Sequence, residues 1–383
     1  MLSHRLLDGS EDELRRSRTS LKWRLYPADV LPLWVAEMDA EPCPAVVEAV
    51  TSAMRRGDTG YAWPQPYAAA FVRFARDEWR WEPDPALVAV VRDVIGGLSE
   101  LLRLLTDDEG PVVLSTPGYD AFFSAVDAIG RRPLEAPLGE TGRLDLDVLA
   151  AAFRDATAGG QRAAYVLCNP HNPTGTVPTP AELAAVAALA RQHGVRVVSD
   201  EIHAPLVHEP AGFTPYLRVP GSEDAFTVTS ASKAWNLAGL KAAVLVAGAD
   251  AAGDLRLLHP WHTHSATHLG VLAQTAAYDD GRKWLAQLRR EVDANRRLLE
   301  RLLAQHLPDI RYRPPEATYL AWLDCRGLGL GDDPAVVFRE RGSVALSPGP
   351  RYGAAGIGHA RLNLATSPDV LAEAVARMAR AVT

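Results

Sequence analysis

The chain has few cysteines and no long apolar run. Its 383 residues include only 3 cysteines, Cys43, Cys168 and Cys325, which fit neither a paired metal motif nor a disulfide framework. Such sparse use of cysteine is typical of a reducing compartment. No stretch approaches the ~18 consecutive apolar residues of a membrane-spanning helix, and the N-terminus lacks the apolar core of a signal peptide. We therefore expect a cytoplasmic protein with no membrane partner.

A positive charge excess is also absent. The net charge is −7, which argues against nucleic acid as the main partner. Glycine and proline, at 29 and 28 residues, are too few for a disordered or fibrous chain. The apolar share of 48% is that of a globular protein, and the length favours about two domains at ~150 residues each.

One segment has the pattern of a β-strand, a helix and a second strand. Ala163–Cys168 and Val195–Ser199 are short apolar runs of the kind found in buried strands. Between them, Thr179 and Glu182 have the spacing of a capping box that starts a helix, and Gly194 is placed to end it. This pattern predicts two parallel strands joined by a right-handed crossover.

Further apolar runs alternate with helical segments along the chain. The remaining predicted strands of this sheet are Leu87–Arg92, Pro111–Ser115, Ala225–Thr229 and Ala242–Gly248. The pattern predicts an α/β fold class: a mostly parallel central sheet with helices on both faces, plus a smaller α+β domain. We expect an N-terminal segment (1–45) that joins the small domain, a large domain (46–280) and a small C-terminal domain (281–383).

Polar residues follow several of these strands. The segments that come directly after strands begin at Asp93, Thr116, Asn169, Asp200 and Ser230. Because parallel strands end at one edge of a sheet, these segments are expected to meet there.

The residue types at this edge suit one cofactor. A lysine in an apolar setting has a lowered pKa, so its amine can form a Schiff base with an aldehyde. A carboxylate can keep a heterocyclic nitrogen protonated, and a helix N-terminus can hold a phosphate. Lys233, Asp200 and the helix after Asp93 are candidates for these roles. Together they predict pyridoxal 5′-phosphate (PLP) as the cofactor.

The sequence resembles a known enzyme family over nearly its whole length. It is similar to fold-type I PLP enzymes of the class I/II aminotransferase superfamily, and more closely to the MalY/PatB branch of cystathionine β-lyases, or carbon–sulfur lyases. The stretches that carry the resemblance lie between Leu31 and Pro368. They are LPLWVAEMDAEPCPAVVEA, TGYAW, CNPHNPTG, SDEIHAPL, TSASKAWNLAGLK, ATYLAWLD, ALSPGPRYG and RLNLATSP.

The resemblance implies a role for each matching residue around the cofactor. Lys233 would bind PLP and move the α-proton, Asp200 would pair with the ring nitrogen, and Tyr119 would stack on the ring. Asn172, with His203 nearby, would bind the phenolic oxygen. The residues expected to hold the phosphate are Val94, Ile95, Ser230, Ser232 and Lys241.

The same resemblance implies the substrate-binding residues and the partner. Arg361 would bind the substrate α-carboxylate with its planar guanidinium, near the backbone of Ala36, and Trp34 is a candidate pocket wall. Tyr61 matches a tyrosine that reaches the partner's phosphate site, so a homodimer with shared active sites is expected. Asp93 departs from the family pattern, since a glycine is usual there and a carboxylate disfavours a phosphate unless it points away.

The favoured function is β-elimination from cystathionine or another L-cysteine S-conjugate, a small-molecule amino-acid substrate, giving a thiol, pyruvate and ammonia. An aminotransferase is the alternative, because both reactions need the same residues. A binding protein that retains the fold is a third hypothesis. His259, His262, His264 and His268 suggest a metal, but no complete ligand set accompanies them. We expect no metal and place them in a loop at the site entrance.

Overall fold

The computed structural model describes residues 4–259, 261 and 264–383, so His262 lies outside the described residues. The strands are β1 Leu31–Pro32, β2 Val88–Val91, β3 Pro111–Thr116, β4 Arg132–Pro137, β5 Ala163–Cys168, β6 Val195–Asp200, β7 Phe226–Thr229, β8 Ala243–Ala247, β9 Arg311–Tyr312, β10 Leu320–Asp324, β11 Val344–Ala345, β12 Ser347–Pro348 and β13 His359–Asn363. The helices described are α1 Glu11–Ser17, α2 Leu21–Arg24, α3 Pro44–Arg56, α4 Gln65–Trp79, α5 Val94–Leu105, α6 Asp120–Ala128, α7 Leu146–Ala156, α8 Pro180–His193, α9 Ala252–Leu255, α10 His268–Asp280, α11 Arg282–His306, α12 Pro334–Gly342 and α13 Pro368–Val382.

A seven-stranded sheet forms the centre, in the order β2-β8-β7-β6-β5-β3-β4. Strands β7, β6, β5, β3 and β4 pair in parallel, whereas β8 runs antiparallel to both of its neighbours. The carboxyl ends of β2, β3, β5, β6 and β7 therefore lie at one edge, together with the start of β8. The predicted mostly parallel sheet is confirmed.

Both faces of this sheet are covered by helices. Apolar residues of α5 and α6 pack in one core with side chains of the strands, and residues of α7 and α8 pack in a second core on the opposite face. Every residue of β5 is buried. Strands buried on both faces must be apolar along their whole length, which is why these strands are continuous apolar runs in the sequence.

The predicted crossover between β5 and β6 is also confirmed. The Thr179 hydroxyl accepts from the Glu182 amide and the Glu182 carboxylate accepts from the Thr179 amide, which forms the predicted capping box. Gly194 ends α8 with φ +68°, in the left-handed region that glycine adopts without strain.

The C-terminal part of the chain forms a second, antiparallel sheet in the order β12-β13-β10-β9. The N-terminal strand β1 pairs in parallel with β11, through Leu31 with Val344 and Pro32 with Ala345. This pairing places Leu31–Pro32 beside Val344–Ala345, and the division of the chain at residues 45 and 280 stays a prediction. In the part of the chain that the structure describes, no helix is long and apolar enough to cross a membrane.

A short segment before β10 joins the two sheets. The Ala317 amide donates to the Gly175 carbonyl at 2.9 Å, and the Glu316 carboxylate accepts from the Val177 amide at 2.7 Å. On its other side, the Thr318 amide donates to the Leu206 carbonyl at 3.0 Å. The loop after β5 is thereby fixed against the C-terminal region.

We expect Gly175→Ala to destabilise the protein more than the matched change Gly194→Ala. Both glycines have φ near +70°, so alanine costs about 1–2 kcal/mol at either position. At Gly175 a Cβ would also lie 2.2 Å from the Cβ of Pro315, and such overpacking adds about 1–3 kcal/mol, whereas nothing lies within 4 Å at Gly194. Urea unfolding of the two variants measures the difference, and equal losses of unfolding free energy would contradict the contact.

Candidate active site

A cavity of about 380 Å³ opens at the edge of the sheet where the parallel strands end. Most of the residues predicted from the sequence line it: Ala36, Val94, Ile95, Tyr119, Asn172, Asp200, His203, Ser230, Ser232, Lys233 and Lys241. The topology explains why they meet. All but Ala36 and Lys241 follow the carboxyl end of a strand, and Lys241 precedes the antiparallel strand β8.

Lys233 lies inside the cavity with its amine bonded to a backbone carbonyl. Its Nζ is 3.2 Å from the Ala36 oxygen, which also accepts from the Tyr319 hydroxyl at 3.1 Å. Burial and the Arg361 guanidinium together lower the pKa of Lys233 to about 8, while Asp200 opposes the shift. Roughly a tenth of the amine is therefore neutral at pH 7, and the neutral form is the one that attacks an aldehyde.

Asp200 is a buried carboxylate at the end of β6. One of its oxygens accepts from the Ile202 amide at 3.0 Å, and the residue is 4% exposed. Burial raises the pKa of Asp200 to about 7, against the Ile202 hydrogen bond and the charge of Lys233. A buried acid of this kind is stabilised in its charged form by any cation facing it, including a protonated ring nitrogen.

Asn172 and Arg361 are bonded to each other. The Nη1 of Arg361 donates to the Asn172 Oδ1 at 3.0 Å, and its Nη2 donates to the Trp34 carbonyl at 3.3 Å. The guanidinium carbon lies 5.1 Å from the centre of the Tyr352 ring. Within the described residues, the buried Nε of Arg361 has no hydrogen-bond partner. Arg361 is thus held in place by two hydrogen bonds, and its Nε–H remains available to donate another.

His203 and Tyr119 provide uncharged rings at the cavity wall. His203 is 2% exposed, and burial, with help from Lys233 and Arg361, lowers its pKa to about 3. Its Nδ1 has no partner in the part of the chain that is described. Burial raises the pKa of the Tyr119 phenol to about 12. Both side chains are neutral at physiological pH, so His203 brings an unsatisfied polar atom to the cavity without a charge.

The helix α5 begins at the cavity with an acidic N-cap. The Asp93 Oδ1 accepts from the Gly96 amide at 2.8 Å, and its other oxygen lies 3.6 Å from the Lys241 amine and 3.2 Å from the Arg92 guanidinium. Two cations thus offset the carboxylate that departs from the family pattern. The lining residues Val94 and Ile95 stand at the first turn, where helix amides favour anions.

Ser230 differs from the expected phosphate ligand. Its hydroxyl is 2.8 Å from the Ala242 carbonyl and 2.9 Å from the Gln274 Oε1, and both contacts use its single proton. The Ser232 amide donates to its oxygen at 3.1 Å. Ser230 therefore organises the turn before Lys233 and offers no free proton to a phosphate in this arrangement.

The structure places Trp34 and Tyr61 differently from the other predicted residues. The Trp34 indole packs edge-on against Tyr26, and its contact with the site is the backbone carbonyl that binds Arg361. Tyr61 is fully exposed on the connection between α3 and α4, outside the residues that line the cavity. A role for Tyr61 in a phosphate site thus requires a second chain.

Among the histidines predicted at the site entrance, His268 lies at the start of α10, beside Asp58. Its Nε2 lies 3.0 Å from an Asp58 oxygen, on the N-terminal turn of α10. Among residues 4–259, 261 and 264–383, no group of three or more histidine, cysteine or acidic residues is arranged to hold a metal ion.

Sequence reasoning missed several residues of the site. Cys168 lines the cavity and its sulfur accepts from the Asn172 amide at 3.4 Å; the buried thiol also carries a strongly raised pKa. Tyr319 and Asn363 lie in quoted family stretches, which was the available signal, but they were given no role. Arg92 and Ser99 also line the cavity, and nothing in the sequence pattern distinguished them from surface residues.

The residues present fit PLP. An aldehyde requires a neutral amine, and Lys233 supplies one; a ring nitrogen requires a buried acid, and Asp200 supplies it. The buried, unpartnered Nδ1 of His203 is an orphan polar atom that a polar ligand would satisfy. The end of α5 with Lys241 suits a phosphate. Fold and site together define a PLP enzyme of fold type I.

Comparison with known proteins places the chain in a family. The model of the aminotransferase class I and II family matches residues 28–378. The chain therefore belongs to the aminotransferase class I and II family. The family and the branch predicted from the sequence are confirmed.

Individual relatives match over almost the whole chain. A Mycobacterium leprae protein named "Putative cystathionine beta-lyase" is 50% identical, covering 97% of this chain and 96% of that protein. Cystathionine beta-lyase PatB of Bacillus subtilis is 31% identical, covering 97% and 98%. The solved structure of the PLP-bound C–S lyase from Staphylococcus hominis has a TM-score of 0.88 at 26% identity, covering 96% and 97%.

A second buried acid, Glu201, lies directly behind the site. Its Oε1 accepts from the Tyr216 amide at 2.8 Å, the Ser199 hydroxyl at 3.0 Å and the Asn169 side-chain amide at 3.3 Å. Its Oε2 is buried and has no partner in the described chain. Burial, with a smaller contribution from the nearby Asp200, raises the pKa of Glu201 to about 8.

We expect the contribution of Glu201 and Asp200 to the stability of the cofactor-free protein to fall as the pH rises from about 5 to 8. Glu201 and Asp200 have folded-state pKa values of about 8 and 7, above the ~4 of an unfolded chain. The folded state then binds more protons in this window, so its advantage is complete at low pH and is lost as pH rises. Urea unfolding at several pH values measures the slope. Glu201→Gln keeps the acceptor oxygen, and its unfolding free energy relative to that of the wild-type protein should rise across this window; a difference that stays constant with pH would contradict the raised pKa.

Proposed function

We propose that the protein is a PLP-dependent carbon–sulfur β-lyase that cleaves cystathionine or related L-cysteine S-conjugates. In the reaction with cystathionine, water and substrate yield a thiol, pyruvate and ammonia. The observation that carries the PLP chemistry is the meeting of Lys233 and Asp200 at one cavity, with Arg361 bonded to the lining residue Asn172. The β-lyase assignment is supported by the names of relatives that match almost the full chain.

Each residue of the site has a part in this proposal. Lys233 would hold the cofactor through its amine, Asp200 would keep the ring nitrogen protonated, and the start of α5 with Lys241 would hold the phosphate. Bound PLP supplies an electron sink that stabilises the carbanion left when the α-proton is removed. Once its amine is free, Lys233 would take up that proton, which a pKa near 8 allows at neutral pH.

Arg361 would orient the substrate. Its two outer nitrogens are already directed by Asn172 and the Trp34 carbonyl, and a guanidinium binds a carboxylate through two parallel hydrogen bonds. Holding the α-carboxylate there would fix the Cα–H bond relative to the Lys233 amine. His203, uncharged and short of one hydrogen bond, would bind the cofactor beside Asn172.

We expect purified holoenzyme to release pyruvate, ammonia and a thiol from cystathionine or an S-alkyl-cysteine. Lys233→Ala should lower kcat by about 10²–10⁴-fold, because it removes the general base. Arg361→Lys should lower kcat/KM by about 10–100-fold, because the ammonium cannot bind a carboxylate through two bonds.

Arg143→Lys is a matched control, since Arg143 pairs with Glu182 and does not line the cavity. Pyruvate is followed with a coupled assay and the thiol with a colorimetric reagent. A 2-oxo acid that retains the intact substrate side chain, formed without thiol, would instead identify an aminotransferase. Absence of both products from every conjugate tested would reject the proposed function.

We further propose that the enzyme is a homodimer in which Tyr61 enters the partner's site. Tyr61 is fully exposed, and Trp63 at 67% and Met54 at 54% exposure are near it in the chain. Large apolar side chains exposed together mark a protein interface. The division of the chain into residues 1–45, 46–280 and 281–383 is part of the same proposal, supported by the pairing of β1 with β11.

Mixing two inactive variants tests the shared site. In a hybrid of Lys233→Ala with Tyr61→Ala, one site keeps both residues only if Tyr61 acts on the partner. Subunit exchange should then restore about a quarter of the wild-type β-lyase activity, since half of the dimers are hybrids with one intact site. Light scattering establishes the dimer, and no recovery after exchange would place Tyr61 in its own subunit's site or outside any site.

A further inference from the structure

A buried ion pair lies outside the residues that line the cavity. Lys22 Nζ and Asp39 Oδ2 are 2.7 Å apart, and the side chains are 0% and 1% exposed. The other oxygen of Asp39 accepts from the Trp23 indole at 2.9 Å. A buried ion pair is weak evidence for stability, because removing both charges from water offsets their attraction. The contacts of this ion pair with the nearby backbone therefore indicate a role other than stability.

Lys22 also binds the segment that carries Ala36. Its Nζ donates to the Glu37 carbonyl at 3.1 Å, one residue after the carbonyl that accepts from Lys233. Side chains bind every carbonyl from residue 34 to residue 38: Arg361 binds Trp34, Asn363 binds Val35 and Glu37, Lys233 and Tyr319 bind Ala36, Lys22 binds Glu37, and Asn236 binds Met38.

This pattern fixes the direction of the Ala36 carbonyl. The backbone has two soft dihedral angles per residue, so holding the carbonyls of Val35 and Glu37 leaves the peptide between them little freedom. Asn363 holds both of these carbonyls, at 2.8 and 2.6 Å. Lys22 is a charged donor to this segment, and it lies outside the residues that line the cavity.

The Ala36 carbonyl affects the Lys233 amine directly. The charged and titratable groups that act on this amine are Arg361, Asp200, Lys241 and Glu37. A carbonyl 3.2 Å away favours the protonated amine, because an ammonium is the stronger donor. If that carbonyl moved away, the buried ammonium would lose a hydrogen-bond acceptor, and the pKa of Lys233 would fall.

We propose that Lys22 and Asp39 are positioning residues, which hold the segment 35–38 so that the Ala36 carbonyl meets the Lys233 amine. The inference rests on the proposed role of Lys233 as the residue that holds the cofactor. Lys22 and Asp39 touch neither substrate nor cofactor, and they act through the backbone between them.

The test measures the Lys233 amine in the full-length, cofactor-free protein. Competitive labelling with acetic anhydride between pH 6 and 10, read by peptide mass spectrometry, gives the pKa of this one amine. The double variant K22M/D39N removes the Lys22 donor to the Glu37 carbonyl, where Asn363 remains, without leaving a lone buried charge. The fraction of neutral Lys233 at pH 7 should rise about threefold to tenfold. Glu182→Gln, which breaks the Arg143 ion pair elsewhere, should leave the labelling profile unchanged.

A second variant keeps the proposal testable if the double variant does not fold. Lys22→Gln has a side chain one atom shorter, which cannot reach both Asp39 and the Glu37 carbonyl, and it should change the profile in the same direction. A wild-type profile in either folded variant overturns the proposal. If circular dichroism shows that neither variant folds, the pair serves folding alone and the proposal is likewise rejected. Labelling requires no turnover, so a failed β-lyase assay and a failed positioning role are separate results.

Discussion

The site depends on holding two cations and an anion close to one another in a buried setting. Lys233 and Asp200 line one cavity, and Arg361 is bonded to Asn172 on its wall. Their charges affect one another: Arg361 lowers the pKa of Lys233, while Asp200 raises it. In a medium of low polarisability these charges interact strongly, so the position of each is fixed by the others as well as by its own strand. A reactive amine at neutral pH is a product of that balance.

The sheet supplies the frame for this balance. Six strands of this sheet end at the same edge, and the one antiparallel strand, β8, begins there. Lys241 therefore joins the same edge although it precedes its strand. Arg361 on β13 of the C-terminal sheet bonds to Asn172, and the Ala36 carbonyl of the N-terminal segment bonds to Lys233. Three separate parts of the chain therefore meet at this edge of the large sheet.

Much of this arrangement is predictable from the sequence because it is local. Buried strands are apolar on both faces, so β5 was predicted with the bounds that the structure has, and β6 to within one residue. The helix start at Thr179 follows from its own capping box. Lys233 and Asp200 were predicted because strand ends of a parallel sheet must converge.

Contacts between distant segments could not be predicted in the same way. Nothing in the neighbourhood of Lys22 reveals that it meets Asp39 and the Glu37 carbonyl, since this requires the full path of the backbone. The Ser230 hydroxyl was assigned to a phosphate, yet Gln274 on α10 is bonded to it. Pairings of this kind depend on which helix packs against which turn, and no spacing rule contains that information.

The segment 315–318 limits how the two sheets can move. It is bonded to Gly175 and Val177 on one side of the crossover and to Leu206 on the other. This segment is thus one pivot for a relative rotation of the sheets, beside other bonds between them such as that from the Gly118 amide to the Tyr352 carbonyl. Arg361 lies on the strand paired with β10, which starts two residues beyond the pivot. A small angular change there would swing the guanidinium along a short arc, so the bonds of this segment restrain how far the proposed carboxylate-binding group can travel.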